Sequence, residues 1–150
     1  MQRELRTHRL LPFTLCAGLA LGLGTAIRAN ARATPQASAE KAAKEWLALL
    51  DAGKYGESWD AADQGFKDVV TREAWESKCK SRAALGKLVS RKLAKSDLLM
   101  NPSGGPPGEY VAIRYQSSFE KLESAVELVI PKLEKDGKWR VSNYLIRTDQ

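Results

Sequence analysis

The side chains able to do chemistry in this sequence are few and scattered. Glu127 is the carboxylate in the least ordinary surroundings, because it sits in an apolar run between Val126 and Leu128. Turned inward it would be desolvated, its pKa would rise, and it would become a candidate proton acceptor, with a tyrosine such as Tyr115 beside it. A buried ion pair with Arg114 or Arg140 on a neighbouring strand is the structural alternative. Strands alternate their faces, so the favoured reading places Glu127 in solvent on the outer face of a sheet. A second group lies upstream, where Tyr55 and Trp59 share a helical face and Ser58 and Asp60 flank Trp59. Such rings could stack on a flat ligand, and the Ser58 hydroxyl could orient it. Core packing of the rings and a local bond from Ser58 to a preceding helical carbonyl explain the same spacing, and these readings are preferred.

The residue types that are scarce exclude more than those present suggest. The chain holds one histidine, His8, and two cysteines, Cys16 and Cys79. His8 and Cys16 both fall in an N-terminal segment that reads as an export signal. Arg3, Arg6 and Arg9 precede an almost wholly apolar or small stretch from Leu10 to Ile27. Two small-x-small triplets follow, Ala29-Asn30-Ala31 and Ala31-Arg32-Ala33, the form a signal peptidase cleaves. The apolar stretch is near the lower limit for an anchor, but its glycines and tandem cleavage triplets favour removal. The expectation is a signal peptide over residues 1–33, cleaved after Ala33 or Ala31, and a single domain over 34–150 in the periplasm or medium of a bacterium. No integral membrane segment would remain.

Cleavage would leave no histidine and one cysteine. Ser-His-Asp and Cys-His nucleophile systems are then excluded, and so are ordinary zinc sites. No cofactor is expected. An intramolecular disulfide is impossible, and Cys79 reads as a buried, inert thiol. The leader also carries five basic residues and one acidic residue, so 24 and 18 fall to 19 and 17, and the net charge of +6 falls to +2. A nucleic-acid partner, which needs a concentrated positive face, loses its support.

The elements that must position these residues follow from periodicity. Ser38 is a candidate N-cap for a helix whose apolar residues Ala39, Ala42, Ala43, Trp46, Leu47 and Leu50 recur at helical steps until Gly53. A shorter helix is expected over Tyr55 to Asp63, and a third capped by Thr71, with Trp75, Cys79, Arg82 and Ala83 on one stripe and Gly86 as its stop. Residues 87–99 alternate loosely. Residues 101–108, rich in Pro and Gly, form a connector. From Glu109 the period is two, with Val111, Ile113, Tyr115, Ser117 and Phe119 on one side. Val126, Leu128 and Ile130 mark the next strand, ended by a bulge or edge at Pro131. Asp136-Gly137 signals a tight hairpin. Trp139, Val141, Tyr144 and Ile146 mark the last strand, whose phase slips between Val141 and Tyr144. The fold class is α+β, with three N-terminal helices packed on a four-stranded antiparallel sheet.

Four ordered blocks carry a family resemblance. They are Ala52-Gly53-Lys54-Tyr55-Gly56-Glu57-Ser58-Trp59-Asp60; Leu85-Gly86-Lys87-Leu88-Val89-Ser90-Arg91; Gly108-Glu109-Tyr110-Val111 through Ser118-Phe119; and Asp136-Gly137-Lys138-Trp139-Arg140-Val141 with Tyr144-Leu145-Ile146-Arg147. Together they resemble an exported bacterial family, the domain of unknown function numbered 4019. Asn143 departs from the glycine that pattern favours before the tyrosine. The resemblance implies a curved sheet closed by helices, the cone of nuclear transport factor 2-like and cystatin-like folds. It implies no activity.

Two functions therefore compete. The first is a non-enzymatic module of the envelope that binds a small ligand or a protein partner, its sheet face offering a surface for a homodimer. The second is a small cone-fold enzyme of proton transfer or hydrolysis using Glu127 or Asp60 with Tyr115. The pocket candidates for either are Tyr55, Ser58, Trp59, Tyr115 and Glu127.

Overall fold

Pro35 opens the first helix, where its fixed φ suits the first turn and its missing N–H costs nothing. In the computed structural model, which describes residues 33–148, α1 spans Pro35–Asp51. Of the leader expected over residues 1–33, residues 1–32 lie outside the described residues. The cap is Thr34, not Ser38: its Oγ1 accepts a hydrogen bond from the Ala37 N–H at 3.2 Å. Pro35 lets the helix begin one turn earlier than the apolar period alone requires. The helix buries Ala39, Ala43, Trp46, Leu47 and Leu50, and Gly53 at φ 73° then reverses the chain.

Four helices precede the sheet where three are expected. α2 spans Tyr55–Asp60, α3 Gln64–Val69 and α4 Arg72–Ala83. The expected single helix to residue 63 breaks because Asp63 acts as a cap. Its carboxylate accepts from the Phe66 N–H at 2.7 Å, while its own N–H donates to the Val141 carbonyl at 2.9 Å. That turn aims Phe66 into the core. Thr71 caps α4 as expected, accepting from the Ala74 N–H at 3.2 Å.

The strands β1 (Leu88–Met100), β2 (Glu109–Phe119), β3 (Leu122–Leu133) and β4 (Trp139–Thr148) form one antiparallel meander in sequence order. β2 buries Val111, Ile113, Tyr115, Ser117 and Phe119, the alternation its sequence shows. β3 does the opposite of what its aliphatic residues suggest. Ala125, Glu127 and Val129 are buried against the helices, and Val126, Leu128 and Ile130 lie half-buried on the other face. The neighbouring strand decides this. Glu127 pairs directly with Tyr115, and cross-strand partners share a face. The solvated Glu127 is thereby corrected. The register shift at Ile130/Pro131, opposite Val141 and Asn143, lets both Val141 and Tyr144 point inward.

The core is aromatic. The Trp75 ring packs at 5.6 Å from that of Trp46 and edge-on at 5.1 Å from Phe66, and Tyr144 closes on Trp46 at 5.4 Å. Among the described residues no helix is long and apolar enough to cross a membrane.

Candidate functional site

Five elements send a polar side chain to one buried point. Asp51 ends α1, Arg82 lies on the buried stripe of α4, Arg91 comes from β1, Ser117 from β2 and Tyr144 from β4. All converge on Glu127 of β3, which is fully buried. Its Oε2 accepts from the Ser117 hydroxyl at 2.6 Å and from Arg91 Nε at 2.7 Å. Its Oε1 accepts from the Tyr144 hydroxyl at 2.6 Å, from Arg91 Nη2 at 3.2 Å and from Arg82 Nη2 at 3.4 Å. Asp51 completes the set, accepting from Arg82 Nη2 at 2.5 Å and Arg91 Nη1 at 2.7 Å. Arg82 Nε in turn donates to the Tyr144 oxygen at 2.9 Å, and its guanidinium lies 5.1 Å from the Phe119 ring.

Two carboxylates therefore face two guanidinium groups, and the formal charges cancel. A carboxylate offers about four lone-pair directions, and the donors around Glu127 fill them. Burial alone pushes the Glu127 carboxyl up. The hydrogen bonds and charge of Arg91, then the hydroxyls of Ser117 and Tyr144, outweigh that and hold it below its ordinary value of 4.5. Asp51 behaves alike, with burial outweighed by Arg91 and Arg82. Burial and the adjacent Glu127 carboxylate drive the Tyr144 phenol far up, so it stays a donor. The sequence expectation of a raised Glu127 assumed desolvation without partners, and the arginines reverse it. Those partners are Arg82 and Arg91, and not Arg114 or Arg140.

The other candidates lie elsewhere. Ser58 is fully buried and bonds locally, donating to the Tyr55 carbonyl at 2.7 Å. Its hydroxyl also accepts from Trp75 Nε1 at 2.9 Å, and its carbonyl accepts from Trp46 Nε1 at 2.7 Å. Trp59 Nε1 donates to the Val70 carbonyl at 2.7 Å, and Tyr55 and Trp59 pack against the edge of the core. Asp60 is exposed and takes Arg72. Tyr115 is buried, and among the described residues its hydroxyl has no partner. Burial, aided by Glu40 and set partly against Arg91, pushes its phenol up to about 12. Of the five pocket candidates, Tyr115 and Glu127 are cross-strand partners in the structure, whereas Tyr55, Ser58 and Trp59 lie apart from them on α2. Asp51, Arg82, Arg91, Ser117 and Tyr144 escape notice, although Arg82 on the stripe of Trp75 and Cys79 was a charged residue at a buried position. Among the described residues no three His, Cys, Asp or Glu side chains converge as a metal site requires.

Beside the cluster runs an open groove of about 260 Å³ between α4 and the end of β4. Trp75, Cys79 and Leu85 form its helical wall, and Tyr144 to Thr148 its strand wall. Arg82 and Tyr144 line it and at the same time bind Glu127, so the carboxylate stands behind them and not in the groove. Lys78 and Arg147 also line it, and neither joins an ion pair among the described residues. Cys79 is buried, and burial pushes its thiol up to about 11, as an inert cysteine requires.

Residues 42–144 match the family described as Protein of unknown function (DUF4019), and the chain belongs to that family. The matched span includes every member of the ionic cluster. Among curated proteins none matches the chain.

Proposed function

We propose that this family member is an exported, non-catalytic binding module of a bacterial envelope, which takes its ligand or partner in the groove between α4 and β4. The observation that carries the reading is the contrast between Glu127, fully buried and fully partnered, and the groove beside it. Glu127 has every acceptor direction occupied, and it is held ionised where a general base would need to be free and poised near neutrality. The groove has an apolar wall, a few polar groups and access to solvent, which are the attributes of a binding site. The helices laid across the antiparallel meander support the further reading of a nuclear transport factor 2-like or cystatin-like cone. A proton-transfer or hydrolytic enzyme would need a carboxylate at the base of a wet pocket.

An anionic aromatic dye, anilinonaphthalene sulfonate, tests the groove directly. The reading expects saturable fluorescence from the native protein, lost in Leu85→Glu and kept in Ser118→Ala on the far face. Dye that ignores the native protein, or binds Leu85→Glu equally well, contradicts it. Export is tested by the mass of the secreted protein, which should begin at Arg32 or Thr34; an intact Met1 excludes cleavage.

A further inference from the structure

The strand wall of the groove is five consecutive residues, Tyr144, Leu145, Ile146, Arg147 and Thr148. Successive strand residues point to opposite faces, so one concavity can touch all five only along the edge of the strand. β4 is an outer strand of the sheet, with β3 on one side only. Upstream its free edge is covered, because the Val141 carbonyl accepts the Asp63 N–H at 2.9 Å. Over residues 143–148 no hydrogen bond from outside the β3–β4 ladder reaches the backbone among the described residues. The opposite edge strand, β1, is blunted by bulges at Leu88/Ser90 and Leu93/Lys95 and by Lys92, Lys95 and Asp97. The end of β4 carries neither bulge nor proline, and Arg147 is its one charge. Protected edges normally carry such devices, and an open one beside an apolar wall is a template for another strand.

We infer that the groove is a strand-addition site: an extended polypeptide segment pairs its backbone with β4 at residues 144–148 and sets an apolar side chain against Trp75 and Leu85. This deepens the binding-module reading and rests on it. Backbone pairing supplies affinity in such sites, and the pocket selects the side chain. The charges select the flank. Arg82 is already matched by Glu127 and Asp51, so the positive groups left at the groove are Lys78 and Arg147, and the segment is acidic beside its apolar residue. A second copy fits less well. Two-fold pairing of β4 with itself brings the like-charged Lys78 and Arg147 of both copies to one seam.

The probe is an acetylated heptapeptide alternating Glu with Val and Leu, titrated into the protein as recovered and followed by amide NMR and hydrogen exchange. A lysine-for-glutamate version and two N-methylated versions, one modified at odd and one at even residues, accompany it. Binding should shift and protect the amides of residues 144–148, and the lysine version should bind more weakly. One N-methyl version should lose about tenfold or more in affinity, because it lacks the donors the edge requires, while the other binds like the parent. Equal binding of both N-methyl versions would overturn strand addition. So would failure of every peptide while the dye still binds, an outcome that leaves the binding-module reading standing; failure of dye and peptides together removes both. Doubling of the mass without peptide, with the same amides protected, would make a second copy the occupant and also overturn the proposal.

Discussion

Arg82 and Tyr144 stand between two regions of opposite character. On one side they join Glu127, Asp51, Arg91 and Ser117 in a cluster that is buried at Glu127, reaches solvent at Asp51, and gives each charge its counter-charge. On the other they line a groove open to water, with a strand edge and two cations, Lys78 and Arg147, for which the described residues supply no partner. The cluster holds more ionisable groups, yet it is closed to chemistry because its groups satisfy one another. The groove holds little reactive chemistry, yet it is where the fold leaves interactions unmade. Charge density and reactivity are thus separate quantities: a buried carboxylate becomes a base only when it lacks partners.

Breaking the cluster should have the largest effect. Glu127→Gln keeps the shape but turns an NH₂ group toward donors and leaves two guanidinium groups with Asp51 alone. Loss of one partner of a buried pair costs about 3–5 kcal/mol, read as a lower urea midpoint at unchanged slope. The same variant, studied well below its transition, should still bind the dye. Its loss there would mean that cluster and groove are one site. Ser58→Ala comes next, at about 1–3 kcal/mol, because it strips the acceptor from buried Trp75 Nε1.

The cluster also sets an acid limit. Glu127 and Asp51 have folded pKa values below their ordinary 4.5 and 3.8, so the unfolded chain binds protons first as pH falls. The stability they contribute is fully present above those ordinary values and is lost as pH drops through the folded ones. Urea midpoints measured from pH 7 downward should hold to about pH 5 and then decline, and Glu127→Gln should flatten the decline. A midpoint that rises on acidification would mean carboxyls raised by burial, as in a catalytic site.

Much of the fold is legible in the residues, and the site is less so. The period of two in β2, the slip between Val141 and Tyr144, the Asp136-Gly137 turn, the cap at Thr71 and the positive-φ stop at Gly86 are local signals, and each is found where the sequence puts it. β3 is misleading because both of its faces carry apolar residues. Pattern alone then cannot choose between Val126-Leu128-Ile130 and Ala125-Glu127-Val129, and the choice falls to the register with β2. The arginines are invisible for a related reason. Arg82 on α4 and Arg91 on β1 meet only at shared partners, Glu127 lying 45 and 36 residues from them and Asp51 31 and 40, a long-range fact that no local period encodes.

The smallest effect belongs to Cys79, whose thiol is packed on the groove's helical wall. Native labelling by a maleimide should be slow at neutral pH and should slow further when the acidic peptide occupies the groove. Fast labelling would place the wall in solvent and take the apolar pocket away.

The most direct measurement of the account is the carboxyl carbon shift of Glu127 followed through an acid titration by NMR. The account predicts an ionised carboxylate throughout the neutral range, protonating only below 4.5 and together with loss of structure. A Glu127 that titrates above 4.5 in the intact fold would be a free, desolvated acid, and the case for a non-catalytic module would fail.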